Sequence, residues 1–370
     1  MTLVLPSLAP LDVPARLVRL RQWLREQGTD AILVTRLKNI RYLTGFTGSA
    51  AMLLVSAGDA LFVTDGRYRD ASAEQLGAAG VDARISIGVT ASSQREQLVA
   101  AARDFSSLAL EDHDVTWAQK REFADAFAHC EIRPAGTPVE ELRRIKDAGE
   151  VDRIRAACAI ADDAFAALAP RFGEGITERQ FALELEFAMR ERGASAMSFD
   201  PIIAAGPNGA KPHAEPSDRV IERGEMVVCD FGCIVDGYCS DMTRTVSFGD
   251  PGPDARHLYE VVLASQAAGR DAVAVSADCA EVDRASRDVI VAAGLGETFI
   301  HGTGHGVGLD IHEAPRVASS ARDTLREGDV VTVEPGVYLP GVGGVRIEDT
   351  VVVTPAGALP LTLAPKELVL

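Results

Sequence analysis

The strongest constraint on this chain is a short internal repeat. Gly224-Glu225-Met226-Val227-Val228-Cys229-Asp230-Phe231-Gly232 resembles Gly328-Asp329-Val330-Val331-Thr332-Val333-Glu334-Pro335-Gly336, 104 positions later. In each copy a turn glycine and an acid precede an apolar strand-like run, and a carboxylate ends that run. Downstream, Asp241-Met242-Thr243 answers Glu348-Asp349-Thr350, 107 positions later. The chain must therefore build two similar halves, each offering two carboxylates from paired strands. Burying four such acids uncompensated costs several kcal/mol per charge or forces protonation, and divalent cations remove that penalty.

Turn chemistry places the first pair. Asp236-Gly237 is a strong two-residue hairpin signal. With those residues as the turn, Val235 faces Tyr238, Cys233 faces Ser240, Gly232 faces Asp241 and Thr243 faces Asp230. Asp230 and Asp241 then share one sheet face on a diagonal, roughly 7–8 Å apart along the backbone. Gly232 leaves the space between them open. Glu334 and Glu348 flank the segment Gly336 to Gly344, which reads as a loop too long to set its own register.

A histidine cluster adds to the acids. His301, His305 and His312 are three of seven histidines, and they fall within the glycine-rich run His301 to Glu313. The glycine spacing fails the dinucleotide fingerprint, and no second histidine follows at zincin spacing. No GxSxG elbow or Walker loop is present. Four carboxylates and one imidazole make a hard, oxygen-rich donor set. It suits two divalent ions per chain, Mn²⁺ for preference, with Co²⁺, Zn²⁺ or Fe²⁺ as alternatives. Paired ions lower the pKa of a bridging water and polarise a substrate oxygen.

Length and charge bound the rest. The 370 residues suit two domains. The 37 Lys+Arg against 54 Asp+Glu give a net charge of −17, which argues against nucleic acid and against an anionic membrane surface. No apolar run approaches a membrane span, and Met1 to Pro6 shows no leader pattern. The six cysteines form neither a CxxC pair nor a disulfide framework, so they read as buried free thiols of a cytoplasmic chain, with a soft-metal role for Cys229, Cys233 and Cys239 as the alternative. Asp12-Val13-Pro14 starts a helix with Val13, Leu17, Leu20 and Leu24 on one face and Gly28 as its stop. Strands follow at 31–34, 51–55 and 60–64, and helix–strand alternation continues to about 132. A capping box at Thr137 and Glu140, with Pro138 in the first turn, marks a seam. We place a smaller α/β domain at 1–136 and an α+β domain at 137–370.

Asp230, Asp241, His305, Glu334 and Glu348, in that order and at those spacings, resemble the five metal ligands of the pita-bread metallopeptidases. Gly237 to Thr245 and Val345 to Asp349 resemble the proline-specific branch, the Xaa-Pro aminopeptidases and prolidases, over about residues 137–365. Asn39 to Ser49 resembles that branch's creatinase-type N-terminal domain. The resemblance implies a pita-bread fold with pseudo-twofold halves behind that smaller domain, and a dinuclear exopeptidase that cleaves Xaa-Pro bonds by attack of a metal-bridging hydroxide. Asp230 would chelate one ion, Asp241 and Glu348 would bridge both, and His305 and Glu334 would hold the other, with Glu334 also a proton shuttle. His213 and His312 would contact the scissile carbonyl or the intermediate. Arg346 would brace the ligand carboxylates, and Thr243 would support Asp230. His301 would bind substrate or hold its glycine loop. Arg316, four after His312, matches an arginine seen in prolidases and would bind the proline carboxylate, or it is a surface charge. The expected partners are proline-containing peptides and a second copy of the chain in a homodimer. The main expectation is an aminopeptidase. The alternatives are a prolidase restricted to dipeptides and, more remotely, a non-catalytic binding module.

Overall fold

The computed structural model describes residues 7–370, so the reading of Met1–Pro6 lies outside the described residues. The described chain divides into two compact units, Pro10–Arg143 and Arg144–Leu370, with Ser7–Ala9 belonging to the second.

The first unit is a six-stranded sheet in the spatial order Arg84–Ile87, Ala60–Thr64, Ala51–Ser56, Ala31–Val34, Ser107–Leu110, Glu131–Pro134. Its first helix, Val13–Gln27, buries Val13, Leu17, Leu20 and Leu24 and stops at Gly28 with φ 58°, as its periodicity predicts. The helix Leu37–Thr44 was not visible as a period, because its eight residues are too few to show one. Pro138 does open the helix Pro138–Arg144. The capping box expected there is replaced. Glu140 sends its carboxylate to Arg36 Nη1 and Asn39 Nδ2, each at 2.8 Å, because two buried-side donors outcompete a local backbone N–H.

The second unit realises the repeat. Met226–Phe231 pairs antiparallel with Met242–Ser247, and Val330–Val333 pairs antiparallel with Asp349–Thr354. A third strand joins each pair, Ile202–Ala205 in one half and Gly304–Gly306 in the other, and Glu313–Val317 and Gly357–Pro360 extend the second sheet to five strands. Helices back each set of strands. Ala148–Leu168 and Glu178–Glu191, each started by a capping box (Asp147/Glu150 and Thr177/Gln180), set Ile160, Phe165, Phe181 and Leu185 against Val227, Cys229 and Phe231. Pro253–Ala272 and Cys279–Ala292 supply the core behind the second half, where Cys279 and Val282 meet Val331, Val333, Val351 and Val353. Burying each such aliphatic or aromatic side chain contributes about 1.5–3 kcal/mol. The strand ends carrying the acids are therefore anchored to two separate cores.

All six cysteines are free thiols, and all but Cys130 are buried. No helix among the described residues is long and apolar enough to cross a membrane.

Candidate metal centre and its cavity

The Asp236-Gly237 turn forms with φ 45° and 83° at its two central residues, the left-handed pair that a tight hairpin needs. Val235 faces Tyr238 and Thr243 faces Asp230, so the register derived from the turn holds through to the acids. Gly232 is required at its place: a Cβ there would lie 2.0 Å from the Ser240 carbonyl oxygen. Thr243 faces Asp230 in register, yet its hydroxyl donates to Glu348 at 2.8 Å.

The segment between Glu334 and Glu348 corrects the loop reading. It is a hairpin, with Gly336 to Leu339 paired against Gly343 to Arg346. Pro340 and Gly341 occupy the centre of its turn, with Gly341 at φ 79° and the Val342 N–H donating to the Leu339 carbonyl at 2.9 Å. Pro-Gly between two apolar runs was the signal for it. The neighbouring glycines masked that signal. This hairpin carries Tyr338, which the sequence did not single out.

The four acids and His305 converge. Asp241 and Glu348 are buried, and together with His305 each offers a ligand atom within 4.8 Å of the others. His305 Nε2 lies 3.5 Å from Asp241 and 3.3 Å from Glu334. Its Nδ1 lies 3.0 Å from the Gly306 carbonyl, which leaves the Nε2 lone pair aimed at carboxylates. Either a cation sits between ring and carboxylates or Nε2 carries a proton, and the carboxylates around His305 favour that proton when no cation is bound. Asp230 Oδ1 and Glu348 Oε1 are buried without a hydrogen-bond partner among the described residues. These orphaned oxygens and the imidazole fit divalent metal ions.

The electrostatics say the same. Burial, then the neighbouring Glu348 and Asp230 charges, push Asp241 well above its ordinary range. Burial, then Glu334 and Asp230, do the same to Glu348. Asp230 is raised by burial against the pull of Arg346. Burial would raise Glu334 too, but the hydrogen bond and charge of His305 overcome it and hold Glu334 down to about 2. Without cations, burial and mutual repulsion favour the protonated forms of Asp241, Glu348 and Asp230.

Arg346 is buried and braces this cluster. It donates to Asp230 through Nη2, to Tyr338 Oη at 2.7 Å through Nη1 and to Thr243 at 3.2 Å through Nε. Tyr338 Oη also meets His301 Nε2 at 2.9 Å, while His301 Nδ1 meets the Gly302 carbonyl at 2.8 Å. Both His301 nitrogens are thus engaged within the protein. Behind the cluster, Arg244 is 1% exposed and donates to the Thr243, Glu348 and Ala364 carbonyls and to Asp349.

A cavity of about 720 Å³ opens onto these groups. Asp230, Asp241, His305, Glu334 and Arg346 line it, with His213, His301, His312 and Arg316 around them and Phe199 and Ile311 as apolar wall. Glu348 lies at 1% exposure against the same cluster. His312 stands edge-on to His305, ring centroids 4.3 Å apart. Arg316 is exposed and sits opposite His305 on the adjoining strand.

Residues 152–355 match the model of metallopeptidase family M24, and residues 16–145 match the creatinase/prolidase N-terminal domain. The chain is similar to a solved structure described as Xaa-Pro dipeptidase from Bacillus anthracis, with 38% identity, TM-score 0.91 and coverage of 97% and 100% of the two chains. It is 34% identical to the Xaa-Pro dipeptidase of Pyrococcus furiosus over 95% of this chain and 99% of that one. An X-Pro aminopeptidase structure from Thermotoga maritima is similar at 33% identity and TM-score 0.87, over 94% and 100% of the two chains.

Proposed function

This chain belongs to metallopeptidase family M24, and from that premise we propose that it is an Xaa-Pro dipeptidase, which frees proline from dipeptides. The comparisons favour this over the aminopeptidase expected first, because relatives similar over nearly the whole chain are described as dipeptidases. The observation that carries the catalytic reading is the convergence of Asp241, His305 and Glu348 at a cavity, with buried carboxylate oxygens left unpaired.

Asp230, Asp241, His305, Glu334 and Glu348 would hold two divalent ions, Mn²⁺ being the best match to so many oxygen donors. Bound there, they supply Lewis acidity to the substrate carbonyl and an activated water. The protein's own groups do the rest. Glu334 would accept and return the proton that moves from water to the proline nitrogen. His213 and His312 face the cavity and donate to the carbonyl oxygen as charge develops on it. Arg346 fixes Asp230, and His301 steadies Tyr338 and through it Arg346. Arg316 pairs with the carboxylate that a dipeptide places one residue beyond the scissile bond. The reading extends to a homodimer in the cytoplasm, which sedimentation and fractionation test.

The purified chain, loaded with Mn²⁺, is offered an Xaa-Pro dipeptide and an Xaa-Pro-Yaa tripeptide. Cleavage of the dipeptide alone supports the proposal, cleavage of the tripeptide returns it to aminopeptidase, and cleavage of neither favours a binding module. Asp241→Ala should abolish turnover and weaken metal retention. Arg316→Met should raise KM for the dipeptide and leave metal content unchanged.

A further inference from the structure

We propose that Lys146 is a positioning residue for the active-site loop, acting through Glu313 to hold the backbone that presents His312. The proposal rests on the catalytic reading above.

Lys146 lies far from the histidine run in sequence, and its side chain is 0% exposed. An ammonium taken out of water costs several kcal/mol unless it is paired. Its partner is the Glu313 carboxylate, 2.7 Å away and 7% exposed. Replacing a buried ion pair by apolar groups is often neutral or stabilising, so what such a pair supplies is a defined position. The mount on the lysine side is rigid. The Lys146 N–H donates to the Gly328 carbonyl at 3.0 Å, and Arg144 two residues earlier is clamped by Asp329 and Asp323.

On the other side, Glu313 closes the loop. Its carboxylate lies so near Gly308 that a Cβ there would meet Oε1 at 2.3 Å. Its second oxygen lies 3.4 Å from the Asp310 N–H. The Gly308 N–H donates to the Asp310 carbonyl, and the Gly308 carbonyl accepts from Cys239 at 2.8 Å. Its backbone pairs with Gly306, where the strand register shifts next to His305. The carboxylate therefore fills the inside of the 308–313 turn, with Lys146 holding it from behind.

His312 needs that support. It lines the cavity, yet among the described residues neither of its ring nitrogens makes a hydrogen bond. Among the described residues its ring contact is the edge-on packing against His305, so its own backbone largely sets its place. The backbone on its C-terminal side is Glu313. A displacement of about 1 Å in a group that stabilises the transition state costs about 100-fold in rate.

Lys146→Met, Lys146→Arg, Glu313→Gln and the double Lys146→Met/Glu313→Gln are compared with wild type in metal content, kcat and KM on a dipeptide, and hydrogen exchange of the 307–313 amides. Lys146→Met should lower kcat about 10- to 100-fold with KM and bound metal near wild type, and should speed exchange across 307–313. Lys146→Arg should recover part of kcat, and the neutral double variant should exceed Lys146→Met. Full kcat and unchanged exchange in Lys146→Met with metal bound would overturn the proposal. If Lys146→Met does not fold, Glu313→Gln decides alone, and wild-type kcat with unchanged exchange overturns it. Absence of hydrolysis by wild type refutes the catalytic reading, whereas the exchange comparison still tests the positioning.

Discussion

Arg244→Met should destabilise the second unit more than any exposed substitution. The guanidinium is buried and spends its donors on the carbonyls of Thr243, Glu348 and Ala364 and on Asp349. Removing one partner of a buried, hydrogen-bonded ion pair costs about 3–5 kcal/mol, because the other charge stays behind. Lys366 and Gln266 also reach Asp349, so the cost belongs at the lower end. The stranded carbonyls keep it from falling much further. We expect about 3 kcal/mol. With a urea slope of about 3 kcal/mol per molar, the midpoint drops by about 1 M. Urea unfolding followed by far-UV circular dichroism, for Arg244→Met, Asp349→Asn and the double variant, measures it. The double should cost less than the two singles together by about 1–2 kcal/mol, since the charge left behind has gone. A midpoint within about 0.3 M of wild type, or strict additivity, would refute the argument.

Three further outcomes follow from other parts of the molecule. Gly232→Ala puts a Cβ 2.0 Å from the Ser240 carbonyl, so the strand bearing Asp241 must move, and metal retained after dialysis should fall, with unchanged retention counting against the geometry. Native alkylation at pH 8 should reach Cys130 alone. Burial pushes the Cys233 thiol up to about 12 and raises Cys229 well above its ordinary value, so a second rapidly labelled site in the mass spectrum would contradict the packing. Asp30 is held below the ordinary aspartate value by hydrogen bonds from the Ser106 side chain and backbone and from Ser107. A lowered native value means its stabilisation is complete above about pH 4 and fades as pH falls through that native value. Asp30→Asn should flatten this acid limb in a pH series of urea midpoints, and an unchanged limb would discount Asp30.

What was legible came from short-range chemistry. Asp236-Gly237 sets a two-residue turn, and a turn of that kind dictates every pairing outward to Asp230 and Asp241. The repeat carried the same logic to Glu334 and Glu348 without a turn to count from, so the hairpin of 336–346 and Tyr338 within it went unread. Glu140 shows a second kind of loss. Its spacing from Thr137 is right for a cap, but Arg36 and Asn39, remote in sequence, claim the carboxylate. Lys146 is the extreme case: nothing local distinguishes it from a surface lysine, and only the fold brings Glu313 to it.

The residues after Leu361 have a consequence for how the centre is assembled. Leu363 and Ala364 N–H groups dock on Asp162, the Ala364 carbonyl caps Arg244, and Val369 lies parallel to Ser247 at the edge of the first half's strands. Arg244 in turn holds the Glu348 carbonyl. Each of these docking residues is made after the final carboxylate of the cluster. A stretch of chain that contributes no ligand of its own therefore fixes the arginine behind the centre.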